Sequence, residues 1–419
     1  MPKYIIYLLD KVLGSIDLFK GEEFMKIFHT GDWHIGKLVN GFYMTEDQEF
    51  IMNQLYEAIE EEKPQVVLIA GDLYDRSVPP VQAIELLNKV LGKIVRDLKT
   101  PVIALAGNHD SNERIDFASE LLKESGLYIT GNLKKDINKV TLHDDHGAIN
   151  FYSIPYADPA VVRDLFEDNS IKNHDDAMKK IVGFINASMN KEERNVAIAH
   201  GYVTYMKNED EDEVAVTLEE SESEKPLSIG GTAIINAECF KAFNYTALGH
   251  LHGPQKVGSD RIRYAGSLLK YSFSEVKQRK GITIVEIDGK GDLNINFREF
   301  KPRRDFRIIT GELEKLMDLE VVNLGNKEDY IKVILKDKGE LLDPMAKLRS
   351  IYPNVMELVR EERVKASTNL KVAATNIKEK SKLSLFESFY EDTTEEKCCL
   401  ESIEVMKRII EKAEKAGVE

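Results

Sequence analysis

Cysteine is scarce in this sequence, and long apolar runs are missing from it. The three cysteines, Cys239, Cys398 and Cys399, are too few for a disulfide framework and form no CxxC pair of the kind that holds structural zinc. No apolar stretch approaches the roughly 18 residues that a membrane-spanning helix needs. We therefore predict a cytoplasmic protein with reduced thiols and no membrane span. The adjacent Cys398 and Cys399 are either a redox-active pair or, as we prefer, two small residues of a tail helix.

The chain also lacks the basic excess of many nucleic-acid-binding proteins, since its formal net charge is −15. Because the DNA backbone is polyanionic, this charge argues against a protein that binds DNA on its own. It argues only weakly against a metal-dependent nuclease, because bound cations add positive charge where carboxylates cluster.

The first residues do not have the pattern of a targeting signal. Asp10, Lys11 and Asp17 interrupt the continuous apolar stretch that a secretory signal requires. Met25 directly precedes the first predicted strand, so we expect residues 1–24 to be a non-native or disordered extension. The alternative is a native N-terminal helix with a docking role.

Short apolar strands alternate with longer amphipathic helices over the first part of the chain. Strands are predicted at Lys26–Thr30, Gln65–Ala70 and Val102–Ala106, and helices at Thr45–Glu62 and Val81–Leu98. The first helix has the spacing of a Thr45/Gln48 capping box at its start. Such alternation indicates βαβ units and a largely parallel sheet covered by helices. Polar residues that follow these strands should meet at one edge of the sheet.

The remainder of the chain divides by composition. Further strands are predicted at Ala148–Ser153, Asn195–His200, Tyr245–Leu248, Gly281–Ile287 and Asp292–Phe297, with a hairpin over Gln255–Ala265. The acidic stretch 207–225 is expected to be an exposed loop, and Lys301–Arg304 a domain joint. Residues 306–360 alternate strand and helix patterns and predict a small α/β module. Residues 361–419 are charged and have helical periodicity.

Five segments with metal-ligating residue types each follow an apolar strand directly. They are Asp32–His34, Gly71–Asp75, Gly107–Asp110, His200–Gly201 and Gly249–His252. A single Gly-Asp or His-Gly after a strand is usually only a turn. Five such segments in this order on one predicted edge indicate a metal site. The remaining histidines, which are His29, His143, His146 and His174, are predicted to be packed or solvated without a role.

The residue types in these segments suit phosphoester hydrolysis. Two divalent cations about 3.5–4 Å apart bind the phosphate oxygens, activate a water and stabilise the leaving oxygen. Mixed carboxylate and imidazole ligation favours Mn²⁺, Fe²⁺ or Zn²⁺ over Ca²⁺ or Mg²⁺. The sequence therefore predicts a two-metal phosphoesterase.

In order, the motifs DxH, GDxxD, GNHD, H and GHxH resemble those of the calcineurin-like metallophosphoesterase superfamily. Further stretches, at Leu227–Gly231, Ala247–Gln255, Arg263–Ser267 and Lys270–Glu275, are similar to the SbcD nuclease family. That family is the bacterial counterpart of the double-strand-break repair nucleases. The resemblance covers residues 25–300 strongly and the rest only in layout.

This resemblance implies an α/β fold with a metallophosphoesterase β-sandwich flanked by helices. The nuclease domain would span residues 25–300 and a smaller α/β capping domain residues 301–360. The helical C-terminal tail, residues 361–419, would contain the region that binds an ATPase partner.

The resemblance also implies a ligand set for two metal ions, with Mn²⁺ as the metal that the family suggests. One ion would be held by Asp32, His34, Asp72 and His252. The other would be held by Asp72, Asn108, His200 and His250, so that Asp72 bridges the pair.

Three further residues are implied to be catalytic. His109 would contact the scissile phosphate and protonate or stabilise the leaving oxygen. Asp110 would orient His109 through a hydrogen bond, as carboxylates often do for functional histidines. Asp75 would lie beside the site; relatives often have histidine at its position, so its role here is the least direct transfer.

The implied function is that of a metal-dependent DNA nuclease with 3′→5′ exonuclease and endonuclease activity on DNA ends and hairpins. Its partners would be DNA and an SbcC-type coiled-coil ATPase, in a complex for DNA repair and recombination that contains a homodimer of this chain within a heterotetramer. Such a protein would be nucleoid-associated when on DNA. A phosphodiesterase or phosphatase acting on a small molecule or protein is the alternative. The intact ligand set argues against a third possibility, an inactive scaffold.

Two groups of residues outside the motifs have two interpretations each. Apolar residues of the tail form a cluster and a helical stripe that pack either on their own domain or in a groove of a partner; they are Leu383, Leu385, Phe386, Phe389, Tyr390, Ile403, Met406, Ile409 and Ile410. Seven basic residues after the last motif either contact phosphates or form a solvated basic face; they are Lys256, Arg261, Arg263, Lys270, Lys277, Arg279 and Lys280.

Overall fold

The computed structural model describes residues 24–205, 218–224, 233–361 and 398–416, together with Leu383, Phe386 and Tyr390. The predicted extension before Met25 therefore lies almost wholly outside the described residues. So do most of the acidic stretch 207–225, the similarity stretch Leu227–Gly231, and Leu385 and Phe389 of the tail cluster.

The predicted strands and helices are present, most with small shifts at their ends; the helix predicted at Val81–Leu98 is α-helical to Gly92 and continues as a π-helical turn over Lys93–Asp97. The strands are β1 (Phe24–Thr30), β2 (Leu38–Val39), β3 (Phe42–Tyr43), β4 (Val66–Ile69), β5 (Val102–Leu105), β6 (Leu127–Thr130), β7 (Lys139–Asp144), β8 (Gly147–Ile154), β9 (Arg194–His200), β10 (Tyr202–Thr204), β11 (Ile234–Asn236), β12 (Tyr245–Gly249), β13 (Gln255–Val257), β14 (Ser259–Tyr264), β15 (Gly281–Asp288), β16 (Leu293–Glu299), β17 (Phe306–Gly311), β18 (Tyr330–Leu335) and β19 (Val355–Arg360). The helices are α1 (Thr45–Glu62), α2 (Val81–Gly92), α3 (Asn112–Asp116), α4 (Ser119–Leu122), α5 (Pro159–Phe166), α6 (His174–Ser188), α7 (Leu313–Leu316), α8 (Leu319–Val322), α9 (Pro344–Arg349) and α10 (Leu400–Ala416).

Two six-stranded sheets form the larger part of the fold. Their strand orders are β16-β15-β1-β4-β5-β6 and β13-β14-β12-β9-β8-β7. The central strands pair in parallel, β1 with β4 and β4 with β5 in the first sheet, and β8 with β9 and β9 with β12 in the second. Strands at the margins pair antiparallel, as β15 does with β16 and β7 with β8. The carboxyl ends of the central strands therefore lie at one edge of each sheet.

The two sheets pack face to face, and helices cover their outer faces. Ile27 and Val66 of the first sheet share a buried cluster with Phe151 and Val196 of the second. Residues of α1 and α2 pack on the outer face of the first sheet, and residues of α5 and α6 on that of the second. Strands such as β4, in which all four residues are buried, are apolar throughout because both faces are covered. The predicted β-sandwich flanked by helices is confirmed.

The residues after the sandwich contain the alternation of strands and helices predicted there. A three-stranded sheet of order β17-β18-β19 is accompanied by the short helices α7, α8 and α9. Chain contacts define two compact units, one with the described residues to Ile308 plus Gly325–Lys332 and Tyr352–Met356, and one with the remaining described residues. The boundaries drawn from the sequence at 24/25, 300/301 and 360/361 remain predictions.

The described part of the tail is helical, as its periodicity predicts. In α10, Ile403, Met406 and Ile410 are half-buried, whereas Ile409 is exposed. Cys398 is half-buried and Cys399 is exposed just before this helix. Within the described ranges, no helix has both the length and the apolarity to cross a bilayer.

Candidate metal centre

The five predicted segments meet where the carboxyl ends of β1, β4, β5, β9 and β12 come together. The segments that follow β1 and β4 remain hydrogen-bonded to each other beyond the ends of these strands. The Asp32 N–H donates to the Gly71 carbonyl over 3.0 Å, and the His34 N–H donates to the Asp72 carbonyl over 2.9 Å. The second sheet is joined to the first here, since His200 Nδ1 lies 2.9 Å from the Ala70 carbonyl oxygen. Both sheets thus contribute to one site.

Two glycines make this close approach possible. A Cβ built on Gly107 would overlap the backbone nitrogen of Asp72 as well as its carboxylate, and one built on Gly249 would overlap the carbonyl oxygen of Ala70. Neither neighbour is the end of a flexible side chain that moves away at little cost. The motif glycines at these positions are therefore required by space rather than only by turn geometry.

Four of the seven predicted ligands are non-glycine residues with positive φ. The values are +51° for Asp32, +45° for His34, +50° for Asp72 and +114° for His250. Few residues with a Cβ adopt this region, and backbone strain of this kind is concentrated at functional sites. The fold thus holds the ligand-bearing turns in conformations that their own sequences do not favour.

One half of the site is formed by His34, His252 and Asp72. The Nε2 atoms of His34 and His252 face each other at 3.0 Å, and His34 Nε2 lies 3.6 Å from Asp72 Oδ2. All three side chains are buried. This grouping matches the first predicted ligand set.

The other half is formed by Asn108, His200 and His250 around the same Asp72 carboxylate. His200 Nε2 lies 2.8 Å from Asn108 Oδ1 and 3.5 Å from Asp72 Oδ2, and His250 Nδ1 lies 3.3 Å from Asn108 Oδ1. Asp72 Oδ2 is therefore between the two halves. This position is the one that a bridging carboxylate would occupy.

Asp32 lies within the same cluster. Its Oδ1 accepts a hydrogen bond from the His250 N–H over 2.9 Å and lies 3.9 Å from His200 Nδ1. Its Oδ2 is buried and makes no hydrogen bond. A buried carboxylate oxygen without a partner is costly, and a cation is the usual partner for such an atom.

The donor geometry fits metal ions. Two ligand atoms about 2.1 Å from one ion and at right angles to each other lie about 3.0 Å apart. The facing pairs His34–His252 and His200–Asn108 lie at 3.0 and 2.8 Å. His200 donates from Nδ1 to a carbonyl, which can only accept, so its Nε2 presents a lone pair to the site.

The electrostatics of the cluster point the same way. Burial and the neighbouring Asp72 raise the pKa of Asp32 well above its usual range, because two buried carboxylates repel each other. Burial lowers the pKa of all four predicted histidine ligands, which are His34, His200, His250 and His252. Neutral imidazoles are the form that binds metal, and a cation would relieve the carboxylate repulsion.

A second possible ligand group overlaps the first. Donor atoms of His34, Asp75 and His109 lie within 4.8 Å of one another, as do those of Asp32, Asp72 and His200. The group of His34, Asp75 and His109 fits an ion less well. Lys37 Nζ already lies 2.8 Å from Asp75 Oδ1, and His109 Nδ1 lies 2.8 Å from the Asp75 carbonyl oxygen. We therefore keep Asp75 and His109 out of the ligand set.

The predicted hydrogen bond between Asp110 and His109 is wrong. His109 is oriented by the carbonyl of Asp75, and its own backbone N–H donates to Asp72 Oδ1 over 2.9 Å. The buried Asp110 carboxylate instead accepts from the backbone N–H groups of Leu73, Tyr74 and Gly107. Asp110 therefore joins two ligand-bearing turns, because its oxygens have better-placed backbone donors than the imidazole.

The predicted Thr45/Gln48 capping box is also wrong. No side chain caps α1, whose N-cap residue is Met44. The buried Gln48 side chain accepts from the Gly36 N–H and donates to the His34 carbonyl over 2.7 Å. Gln48 thus fixes the turn that contains Asp32 and His34, a role that its helical position did not reveal.

The seven basic residues after the last motif do not form one basic face. Lys280 is buried and pairs with Glu275, so it is neither solvated nor available to a phosphate. Lys270 pairs with Asp305, Arg279 with Glu299, and Arg263 with Asp260. Their charges are largely offset within the protein itself.

Part of the acidic stretch is also placed differently from the exposed loop we expected. Ser221 is buried, and Ser223 Oγ lies 2.7 Å from His252 Nδ1. Residues 218–224 therefore border the site. The other histidines are packed or exposed, with His29 and His174 buried and His143 and His146 on the surface.

Two family models match parts of this chain. The model of the calcineurin-like phosphoesterase family matches residues 25–254. A second model, SbcD_C, described as the type 5 capsule protein repressor C-terminal domain, matches residues 302–394.

Similar solved structures include TT1561 of Thermus thermophilus, at 11% identity over 65% of this chain and 99% of that chain, with a TM-score of 0.37. Another is a dimetal phosphatase from Danio rerio, at 10% identity over 66% of this chain and 97% of that chain, with a TM-score of 0.38.

The first family match includes every predicted metal ligand and spans more than half of the 419 residues. Enzymes of this family hydrolyse phosphoesters at a dimetal site. The chain belongs to the calcineurin-like phosphoesterase family.

Proposed function

We propose that this phosphoester hydrolase is a DNA nuclease of the SbcD type, with exonuclease and endonuclease activity on DNA ends and hairpins. The observation that carries the proposal is the order of two matches in one chain, a phosphoesterase domain followed by an SbcD_C domain. The phosphoesterase domain alone does not select a substrate, since one fold serves many substrates.

Seven side chains would hold two divalent cations, with Mn²⁺ as the proposed metal. Asp32, His34 and His252 would bind one ion, Asn108, His200 and His250 the other, and Asp72 both. When bound, such a pair binds the phosphate oxygens and supplies an activated water. The mixture of carboxylate, amide and imidazole donors suits Mn²⁺ among the divalent ions.

His109 is proposed as the acid that serves the leaving oxygen. The Asp75 carbonyl accepts from Nδ1–H, which leaves Nε2 on the opposite side of the ring. The ring also packs edge to face on His34, with centroids 4.7 Å apart, so its direction is fixed beside the metal ligands. A protonated His109 would donate its Nε2 proton to the leaving oxygen, and Asp75 and Asp110 would maintain the surrounding turns.

The second candidate function is hydrolysis of a small phosphodiester or a phosphoprotein. The net charge of −15 and the internal pairing of Lys270, Arg279 and Arg263 favour it, because these three cations after the last ligand motif are already paired with carboxylates and the chain as a whole repels a long polyanion.

A comparison of cleavage of DNA and of a small phosphodiester distinguishes the two candidate functions. The full chain with Mn²⁺ would be given linear duplex DNA, hairpin DNA and a chromogenic phosphodiester, alone and with a coiled-coil ATPase encoded in the same genome. His109→Ala is the inactive control, and His143→Ala, at an exposed histidine outside the site, is the matched active control. Cleavage of the small diester without cleavage of either DNA, even with the ATPase present, would exclude the nuclease function.

A homodimer of this chain is proposed through the apolar surface next to the GNHD segment. Phe117 and Leu121 are 81% and 79% exposed, and Val78, Val81 and Ile84 are exposed as well. Such a cluster of large apolar side chains is typical of an interaction site. Phe117→Asp should convert the dimer to a monomer in analytical ultracentrifugation, whereas Tyr43→Asp, at an exposed aromatic residue outside the cluster, should not. A wild-type chain that is monomeric at micromolar concentration would refute the homodimer.

The proposed partner of the tail is an SbcC-type coiled-coil ATPase, bound by helix α10. Val405 and Ile409 are 55% and 53% exposed on this amphipathic helix. Val405→Asp with Ile409→Asp should abolish binding of the purified ATPase, and Glu404→Ala should retain it. Unchanged binding of the double variant would place the contact elsewhere.

A further inference from the structure

His252 is held at three separate points by buried and half-buried groups that lie outside the five ligand-bearing segments. Its backbone N–H donates to Glu224 Oε1 over 2.6 Å, and its carbonyl accepts from Lys280 Nζ over 2.8 Å. Its Nδ1 lies 2.7 Å from Ser223 Oγ and 3.3 Å from Glu275 Oε1. Only Nε2, which faces His34, is left for a metal ion.

The hydrogen positions around Nδ1 follow from counting donors. Ser223 has one hydroxyl hydrogen, and it is donated to Glu275 Oε1 over 2.6 Å. The Ser223 oxygen therefore accepts from His252, so that Nδ1 carries the hydrogen and Nε2 carries the lone pair. Ser221 also donates to Glu275 Oε1 over 2.6 Å, which keeps this oxygen in place.

Glu275 is kept as a charged carboxylate although it is completely buried. Its other oxygen, Oε2, lies 2.6 Å from Lys280 Nζ. Burial opposes a charge at this position, and the adjacent Lys280 ammonium offsets that cost. The ion pair of Lys280 and Glu275 thus supports His252 from both its side chain and its carbonyl.

In the other half of the metal centre, the ring of His200 has a neutral partner instead. His200 Nδ1 donates to the neutral carbonyl of Ala70. The acceptor for His252, Ser223 Oγ, itself donates to the Glu275 carboxylate, and the loss of a carboxylate behind a ligand typically weakens metal binding. The two halves of the centre therefore differ in the groups behind their histidines.

We infer that Glu275, together with Ser223 and Lys280, is a positioning residue that fixes His252 as a metal ligand and so controls only one of the two metal positions. This inference rests on the proposed two-metal centre but not on DNA as the substrate. It makes the two positions chemically unequal, with one dependent on a buried carboxylate and one independent of it.

A Mn²⁺ titration of the full chain, stripped of metal with a chelator, tests the inference. Glu275→Gln keeps the size of the side chain and removes its charge. We expect one of the two binding steps to weaken about 10–100-fold and the other to remain unchanged. Equal weakening of both steps, or no weakening, would overturn the inference.

Asp144→Asn is a matched control. Asp144 and Arg194 form another buried ion pair, with side chains 1% and 5% exposed, against 0% and 4% for Glu275 and Lys280. Asp144 contacts none of the predicted ligands, so both binding steps should be unchanged. A selective loss in Asp144→Asn would mean that the effect of Glu275→Gln is not specific.

A second measurement does not need a variant to fold. In the metal-free protein, ¹⁵N NMR of the histidine rings should show His252 as the Nδ1–H tautomer. The Nε2–H tautomer would overturn the inference. Failure of the nuclease proposal would give a different result. DNA would remain uncut, while the two unequal Mn²⁺ binding steps and the Nδ1–H tautomer of His252 would still be observed.

Discussion

Replacement of His109 by alanine should separate catalysis from metal binding. The backbone N–H of residue 109, which donates to Asp72 Oδ1 over 2.9 Å, is present in the variant as well. The shared carboxylate therefore keeps its orientation, and the metal content should equal that of the wild type. The lost side-chain hydrogen bond goes to the Asp75 carbonyl from a half-buried ring, so we expect a loss of stability of only about 1 kcal/mol.

The catalytic effect should be much larger than the effect on stability. Loss of one positioned acid lowers the rate by about 10²–10⁴-fold, which corresponds to roughly 3–5 kcal/mol in activation free energy. The assay measures kcat on the best substrate under saturating Mn²⁺, with metal content determined on the same samples. Loss of Mn²⁺ in proportion to activity would refute the reasoning, because His109 would then be a ligand. A rate within about threefold of the wild type would exclude it as the acid.

Three further changes test other parts of the structure. Burial lowers the pKa of His29 from 6.5 to about 3, so the unfolded chain binds this proton first; the stabilisation is complete above pH 6.5 and is lost as the pH falls toward 3, at about 1.4 kcal/mol per pH unit. His29→Leu should lower the pH slope of the free energy of unfolding, measured with urea on the metal-free protein, by about 1.4 kcal/mol per pH unit, and the other buried histidines should keep their own share; an unchanged slope would show that His29 contributes nothing to it. Gln48→Leu should cost roughly 2–4 kcal/mol and weaken Mn²⁺ binding, because buried backbone groups beside two ligands lose their partner; Gln65→Leu, at a buried glutamine bonded to the backbone away from the site, should lower only stability. Mn²⁺ at about 100 times its Kd should raise the free energy of unfolding by about 2.7 kcal/mol per site, and thermal unfolding of Asp72→Asn should show almost no rise; a full rise would exclude Asp72 as the shared ligand.

The residue pattern predicted the parallel strands and the converging segments, and the family resemblance predicted the sandwich. Helix α1 begins and ends where its periodicity predicts, at Thr45 and Glu62. Buried parallel strands such as β4 and β5 are short apolar runs between longer helices, a pattern with few other solutions. The ligand types at the strand ends then follow from position, because parallel strands share one edge.

The groups behind the ligands were not predictable, because their contacts have no sequence period. Gln48 has the spacing of a capping box, but its side-chain amide bonds to the His34 carbonyl instead of to the start of the helix. Glu275 and His252 are 23 positions apart, and nothing in the chain between them indicates a contact. Lys280 belongs by composition to a basic group, yet a buried carboxylate partner outweighs its hydration. Such errors concern pairs of side chains that only the assembled fold brings together.

Because both sheets contribute residues to the site, the site is completed late in folding. The His250 N–H reaches Asp32 across 218 positions, so the contact is among the most non-local in the fold. Non-local contacts form late, since the chain between them must first be ordered. A nascent chain that contains only β1, β4, β5 and β6 of the first sheet lacks His200, His250 and His252 and has no complete place for either ion. The protein can therefore hydrolyse a phosphoester only after β9 and β12 have been synthesised and the second sheet has packed on the first.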